Sequence, residues 1–200
     1  MIRTLNGLEP YKDGNIYFQG KKVEPSQKTW QQLRQKIGMV FQSYDLFPNH
    51  TVMGNITLAP TKVQGRDPTK VKQEALELLD RVDLRKYADS YPRQLSGGQQ
   101  QRIAIVRALS MHPELMLFDE VTASLDPEMV RSVLKIINEL SERDHMTMII
   151  VTHEMNFAAK IADRVLFLEN GRILEETPGK QFFEHPQTKR AEEFLSSMDF

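Results

Sequence analysis

The sequence predicts an α/β fold in which helices cover a parallel β-sheet. Three short apolar segments, at 115–118, 146–151 and 165–168, alternate with segments of helical periodicity. A run that is too short for a helix and lacks alternating polarity is typical of a strand covered on both faces. Strands that alternate with helices in this way favour a parallel sheet, because each helix carries the chain back to start the next strand.

The first half of the chain is predicted from local signals. Residues 1–8 resemble the last turns of a helix that ends at Gly7, yet no capping residue precedes them, so we expect this opening to be a cut edge. The predicted elements that follow are a hairpin over 16–23, a short helix over 29–34, a strand over 36–42, an irregular stretch over 44–68 with one short helix at 52–58, and helices over 69–82 and 99–109.

The second half carries clearer boundary signals. Asp126 is a suitable N-cap, Pro127 suits the first helical position, and Glu128 places a negative charge in the first turn. These signals predict a helix that runs to about Glu142. A short helix over 156–161 and a hairpin turn at Asn170-Gly171 complete the pattern.

Composition limits the classes of function. The 200 residues include no cysteine, so disulfides, thiolate metal sites and cysteine nucleophiles are excluded. The formal net charge is -1, which gives no electrostatic reason to expect nucleic acid as a partner. No stretch approaches eighteen consecutive apolar residues, so the sequence predicts no membrane-spanning helix.

Polar residues follow three of the predicted strands. Asp119-Glu120 follow the segment 115–118, His153 follows the segment ending at Thr152, and Gln42 ends the strand over 36–42. Ligands in open parallel sheets bind beyond the carboxyl ends of the strands. In a carboxylate pair at this position, one side chain could bind Mg²⁺ while the other orients or deprotonates water. Each of the four polar residues alone also fits an ordinary structural role.

A Ser-Gly-Gly turn precedes the helix at 99–109. Ser96 is a suitable N-cap, and Gly97 and Gly98 leave backbone N–H groups accessible at the positive end of the helix. The turn is therefore a candidate anion site, and the alternative is an ordinary loop before an amphipathic helix.

Taken together, these motifs resemble the ATP-binding subunits of ABC transporters. The resemblance covers essentially the whole chain, and it depends on the order and spacing of the motifs. They are Gln42, the stretch Leu95-Ser96-Gly97-Gly98-Gln99 with Gln100-Gln101-Arg102, the strand into Asp119-Glu120, the stretch Ser124-Leu125-Asp126-Pro127, and His153.

The resemblance implies a P-loop NTPase-like (RecA-like) fold that binds ATP and Mg²⁺. Its core would comprise 1–42 and 111–200, with a helical subdomain at about 43–110, and its first strands and phosphate loop would be missing. By the same likeness, Asp119 and Gln42 would serve the Mg²⁺ site. Glu120 would act as the catalytic base or as the residue that polarises water, and His153 would reach the γ-phosphate.

The remaining motif residues would act across a dimer. By the resemblance, Ser96, Gly97, Gly98 and Gln99 would bind ATP held by the opposite subunit. Asp126 would lie in the loop that communicates between subunits, and Gln42 would connect the magnesium and water site with the transmembrane partner.

Two departures from the family pattern stand out. Val121 replaces the usual proline, and Ala123-Ser124 reverses the usual order, which we expect to matter little. The sequence also contains no GxxxxGK followed by Ser or Thr. The nearest imitation, Gly14 to Lys22, has the wrong spacing and lies in the predicted hairpin. We therefore expect the chain alone neither to bind ATP tightly nor to hydrolyse it. By the resemblance, a missing strand belongs in the middle of the sheet, so we also expect the chain alone to be poorly stable.

Segments at 48–60 and 175–195 resemble the polar amino acid importers within this family. The expected function is an energy-coupling ATPase at the cytoplasmic membrane face, with permease subunits, a second ATPase subunit and, indirectly, a solute-binding protein as partners. One alternative is a non-hydrolysing, truncated protein that pairs with an intact subunit. Another is a non-transport ATPase of the same superfamily, such as a cell-division or lipoprotein-release ATPase.

Overall fold

The computed structural model describes residues 1–198, which fall into two compact units. The first comprises Met1–Val151 and the second Thr152–Phe200. The predicted division into a core of 1–42 and 111–200 and a helical subdomain at about 43–110 stays a prediction. Residues 199 and 200 lie outside the described part of the chain. Among residues 1–198, the longest apolar helix falls short of what is needed to cross a bilayer.

A three-stranded parallel sheet organises the first unit. In chain order its elements are β1 (Tyr17–Phe18), β2 (Lys21–Lys22), α1 (Gln27–Leu33), β3 (Ile37–Val40), α2 (Val52–Lys62), α3 (Pro68–Arg81), α4 (Gly97–Leu109), β4 (Leu115–Asp119), α5 (Pro127–Glu142) and β5 (Met148–Val151). The sheet order is β3-β4-β5, while β1 and β2 form the predicted hairpin. The predicted parallel sheet is thus confirmed for the segments 115–118 and 146–151, which form β4 and β5. It is also confirmed for the predicted strand over 36–42, which forms β3.

The opening residues form a short 3-10 helix over Ile2–Thr4 instead of regular α-helix. Gly7 adopts the left-handed conformation expected of a helix terminator, with a φ of 69°. It lies against the Trp30 ring of α1, since a Cβ atom on Gly7 would fall 2.1 Å from that ring. This contact fixes the opening segment on the face of the sheet that also buries Ile2 and Leu117.

Helices α2, α3 and α4 share one apolar core. Its completely buried members include Val52, Ile56, Leu79, Ile103 and Val106. The side chains on α3 recur at the spacing that the sequence predicted, with Asp67 as the N-cap and Pro68 at the first helical position. This core holds α4, and therefore the Ser-Gly-Gly turn at its start, in a fixed position.

Helix α2 is longer than predicted. The sequence placed its end at Leu58, but the helix continues through Pro60 to Lys62. A proline inside a helix lacks the N–H that would bond the carbonyl four residues earlier, here that of Ile56. The Ser110 hydroxyl lies 3.0 Å from the Ile56 carbonyl oxygen and 2.8 Å from the Arg107 carbonyl oxygen, and its one hydrogen supplies the missing donor when it points to Ile56. A long-range hydrogen bond therefore allows the helix to pass a residue that usually ends one.

Replacing Ser110 with alanine should reveal this compensation. The change leaves the buried Ile56 carbonyl without its donor, so we expect the free energy of unfolding to fall by about 1–2 kcal/mol. Pro60→Ala restores a backbone N–H at position 60. In that background the Ser110→Ala change should lower the free energy of unfolding by a smaller amount. Urea denaturation of the four proteins measures the difference, and equal losses in both backgrounds would contradict the explanation.

The second unit consists of α6 (Met155–Ile161), β6 (Arg164–Glu169), β7 (Arg172–Pro178), α7 (Gly179–Glu184) and α8 (Lys189–Ser196). The prediction that 165–168 adds a strand to the parallel sheet is wrong for the described residues. Strand β6 pairs antiparallel with β7 in a two-stranded sheet. The Asn170-Gly171 turn, with both residues at positive φ, folds the two strands directly onto each other.

Candidate functional site

The predicted strand-end residues of the first unit lie at one edge of the sheet. Val40 is in register with Phe118, and Asp119 is in register with Val151. Because the strands are parallel and in register, their carboxyl ends reach the same edge. The ends of β3 and β4 therefore lie side by side, with Asp119 as the last residue of β4 and with Glu120 and Gln42 just beyond the strands, as the sequence predicted.

Glu120 is held in an uncommon backbone conformation. Its φ is 49°, in the left-handed region that residues with a Cβ atom adopt at a cost of about 1–2 kcal/mol. Two backbone hydrogen bonds maintain it: the Glu120 N–H donates to the Val151 carbonyl at 3.0 Å, and the Ala123 N–H donates to the Glu120 carbonyl at 3.2 Å. Backbone strain of this kind concentrates at functional sites. The observation supports a functional role for this carboxylate.

Asp119 forms an ion pair that sequence reasoning missed. The Arg3 Nε donates to the Asp119 Oδ2 at 3.3 Å, and the same guanidinium lies 5.8 Å from the centre of the Phe41 ring. Arg3 therefore contacts residues at or just beyond the ends of both β3 and β4. Its position 116 residues away in sequence explains why no local pattern pointed to it.

Gln42 reaches the segment that follows the carboxylates. Its Nε2 lies 3.4 Å from the Ser124 Oγ, a long hydrogen bond between two exposed side chains. Ser124 belongs to the stretch in which the sequence departs from the usual family order. The structure thus connects the loop after β3 with the loop before α5.

The Ser-Gly-Gly turn forms a reciprocal cap on α4. The Ser96 Oγ accepts a hydrogen bond from the Gln99 N–H at 3.3 Å, and the Gln99 Oε1 accepts one from the Ser96 N–H at 2.9 Å. This is the capping box of a helix start, and it confirms the predicted N-cap. The Gln99 side chain, predicted from the resemblance to bind nucleotide, is engaged in the cap.

Both glycines of the turn are required by close neighbours. A Cβ atom on Gly98 would lie 2.4 Å from the Met129 Sδ and 2.8 Å from its Cβ. A Cβ atom on Gly97 would lie 2.7 Å from the Tyr44 hydroxyl and 3.6 Å from a Leu125 methyl group. The turn is therefore enclosed by the loop after Gln42 and by the start of α5.

Asp126 lies at the start of α5, as the sequence predicted. Its Oδ1 accepts a hydrogen bond from the Met129 N–H at 3.0 Å, and Pro127 occupies the first helical position. Since Met129 also contacts Gly98, the N-termini of α4 and α5 lie next to each other. Asp126 and the Ser-Gly-Gly turn thus belong to one region of the first unit.

His153 belongs to the second unit, directly after the sequence of β5. It is exposed, and its carbonyl accepts a hydrogen bond from the Met155 N–H at 3.1 Å as α6 begins. The proximity of His153 to the two carboxylates, implied by the resemblance, stays a prediction.

The donor set fits a magnesium ion that is shared with phosphates. Within residues 1–198 there is no cluster of three or more His, Asp or Glu side chains suited to enclosing a metal. Mg²⁺ bound with nucleotides usually takes one or two carboxylates and completes its shell with phosphate oxygens and water. Asp119, at a strand end beside Glu120, offers this kind of partial site.

Comparison with known proteins decides the family. A family model described as ABC transporter matches residues 1–123, which include the Ser-Gly-Gly turn and both carboxylates. The chain belongs to the ABC transporter family. It is similar to the glutamate/aspartate import ATP-binding protein GltL of Escherichia coli, with 48% identity over 198 residues, covering 99% of this chain and 82% of that protein. The glutamine transport ATP-binding protein GlnQ of Bacillus subtilis is 46% identical, over 98% and 81% of the two chains.

Solved structures of ABC proteins share the fold. The dimeric structure of MJ0796, a bacterial ABC transporter cassette, matches with a TM-score of 0.78 and 31% identity, covering 90% of this chain and 79% of that chain. CbiO1 from Clostridium perfringens, part of the ABC transporter complex cbiONQ, matches with a TM-score of 0.80 and 28% identity, covering 92% and 73%. The predicted α/β fold with its parallel sheet, and the assignment to ABC ATPases, are confirmed.

Proposed function

We propose that this chain is the energy-coupling ATPase subunit of an importer for polar amino acids. The observation that carries the proposal is the identity of 48% over 198 residues to a glutamate/aspartate import ATP-binding protein. The relatives named for glutamine, cystine and arginine transport, each 46% identical, support amino acids as the solute class. Solute choice belongs to other subunits, because an ATPase subunit contacts the permease and not the solute.

The edge of the sheet would carry the chemistry of ATP hydrolysis. In this proposal Asp119 and Gln42 hold Mg²⁺ through oxygen ligands or water, and Glu120 orients or deprotonates the attacking water. By the family resemblance, His153 would contact the γ-phosphate. The strained backbone of Glu120 and the contact between Gln42 and Ser124 support these roles, since both position side chains at the strand ends.

The Ser-Gly-Gly turn would act on a nucleotide held by a second subunit. Gly97 and Gly98, next to the Ser96 cap, present backbone N–H groups at a helix start, where the helix dipole favours phosphate. ATP would join two subunits head to tail, and hydrolysis would release them. Asp126, adjacent to the turn, would communicate between the two subunits.

The transport partners follow from the same proposal. Permease subunits would bind the ATPase dimer at the cytoplasmic face of the membrane, and a solute-binding protein would deliver the amino acid to the permease. The closing and opening of the ATPase dimer would drive the permease between its states.

A mixing experiment tests the contribution of the turn. The 200 residues carry the turn and no phosphate loop, so the assay pairs them with an intact amino acid importer ATPase subunit whose own Ser-Gly-Gly turn has been inactivated. We expect the mixture to recover part of the ATP hydrolysis that neither protein shows alone. The Ser96→Ala change should lower the recovered rate by about a hundredfold, the lower end of the loss expected when one hydrogen-bond donor to a developing charge is removed.

Ser26→Ala provides a matched control. Ser26 caps α1 and accepts a hydrogen bond from the Thr29 N–H, so its replacement removes a similar cap far from the turn in sequence. The recovered rate should be unchanged by this variant. ATP-dependent pairing without recovered hydrolysis would indicate the non-hydrolysing alternative, and failure to pair would contradict both functions.

A further inference from the structure

The loop that follows Gln42 contacts α4 at three places. Near the start of the helix the Tyr44 hydroxyl lies beside Gly97, and in the middle the Gln101 Nε2 lies 3.4 Å from the carbonyl of Phe41, the residue just before Gln42, so that this contact holds the entry to the loop. Near its end, Arg107 donates to the backbone of the same loop. A loop that is attached along the length of one helix moves with that helix.

Arg107 fixes the backbone of Tyr44 in an unfavourable conformation. Tyr44 and Asp45 have φ values of 57° and 48°, both in the left-handed region. The Arg107 guanidinium donates to the Asp45 carbonyl at 2.6 Å and to the Tyr44 carbonyl at 3.2 Å, and it lies 5.7 Å from the centre of the Phe47 ring. Burial lowers the pKa of Arg107, whereas the Asp45 carboxylate raises it. The guanidinium remains a charged donor at neutral pH.

The contact between Tyr44 and Gly97 depends on a single atom. A Cβ atom on Gly97 would lie 2.7 Å from the hydroxyl oxygen but 3.5 Å from the ring carbon that bears it, which is an ordinary contact distance. The hydroxyl therefore occupies the space that any larger residue at position 97 would need. Arg107 restrains the Tyr44 backbone, so a larger residue at position 97 would have to displace the ring by rotation of its side chain.

We propose that Tyr44 is a positioning residue for the Ser96–Gly98 turn, and that through this contact the turn and the loop carrying Gln42 move as one body. This inference rests on the proposed function, in which the turn binds the phosphates of a second subunit's ATP. Tyr44 acts through Gly97 and does not contact the nucleotide.

A double-variant cycle in the full chain tests the contact. Alone, Gly97→Ala should lower the melting temperature by about 3–6 °C, because the new methyl group meets the hydroxyl. In the Tyr44→Phe background the same change should be neutral or should raise the melting temperature, since alanine favours a helix start more than glycine does. Equal shifts in both backgrounds would overturn the inference.

Pairing with an intact subunit tests the positioning. Tyr44→Phe should leave the melting temperature within about 2 °C, as expected for a small change away from the core. It should nevertheless weaken ATP-dependent pairing by about three- to tenfold, because the phosphate-facing turn is no longer held in one shape. Tyr17→Phe, an exposed tyrosine in the β1–β2 hairpin, is the matched control and should change neither quantity. Unchanged pairing for Tyr44→Phe would overturn the inference.

The two proposals fail separately. If the unmodified chain does not pair with an intact subunit, the proposed function is wrong, and amide hydrogen exchange of the free chain then decides the inference. Faster exchange at residues 97–100 in Tyr44→Phe, by about threefold or more, would support the proposal that Tyr44 positions the turn. Unchanged exchange there would overturn it.

Discussion

Replacing Gly98 with alanine is expected to lower the free energy of unfolding of the first unit by about 2–4 kcal/mol, as for other overpacked core positions. Gly98 is buried, and its α-hydrogens face Met129 at the start of α5. The added methyl group would meet three Met129 atoms within 2.8 Å. The terminal sulfur could rotate away, but the Met129 Cβ moves only with the backbone of α5. The substitution therefore separates the N-termini of α4 and α5.

Two companion variants make the test specific. Met129→Ala removes the sulfur and Cγ contacts but keeps the Cβ at 2.8 Å, so it should recover only part of the stability lost in Gly98→Ala. Gly54→Ala, a helical glycine whose nearest neighbour atom would lie 3.3 Å away on exposed His50, should change the free energy of unfolding by less than about 1 kcal/mol. Urea denaturation gives all three values. A loss for Gly98→Ala no larger than that for Gly54→Ala would refute the packing explanation.

The parts of this site that could be predicted from the sequence are those with a local cause. Ser96 and Asp126 cap their helices because a short polar side chain three residues before a backbone N–H can bond it, whatever the rest of the fold does. Asp119 ends β4 and Glu120 follows it, because the apolar run ends where the strand reaches the edge of the sheet. Residues with such local signals lie where the sequence placed them.

The parts that escaped prediction have long-range causes. Arg3 reaches Asp119 across 116 residues, and Ser110 reaches the Ile56 carbonyl across 54. Tyr44 and Met129 read as an ordinary loop residue and an ordinary helix residue until the fold brings them against Gly97 and Gly98. The glycine pair itself was the available signal, since adjacent glycines at a helix start can indicate close neighbours as well as a bound anion.

Asn55→Ala is the second substitution for which we expect a large effect, a loss of about 2–4 kcal/mol in the free energy of unfolding, typical of leaving several buried polar groups unpaired. Asn55 is 1% exposed and joins α2 to the loop before it. Its Oδ1 accepts from the Phe47 N–H at 2.7 Å, and its Nδ2 lies within 3.2 Å of the carbonyl oxygens of Phe47, His50 and Thr51. An alanine side chain can form a hydrogen bond with none of these backbone groups.

The consequence should extend from stability to the loop that carries Gln42. Asn55 binds the far end of this loop, and Arg107 binds its middle. Without the Asn55 side chain, Arg107 would be the remaining one of these two contacts to stabilise the left-handed conformation of Tyr44 and Asp45. Amide exchange over residues 43–51 should therefore accelerate at least tenfold in Asn55→Ala, beyond the increase seen in α3. Asn49→Ala, an exposed asparagine of the same loop, is the matched control and should leave both stability and exchange nearly unchanged. Equal acceleration in the loop and in α3 would mean that Asn55 stabilises the unit as a whole, and that the loop conformation does not depend on it.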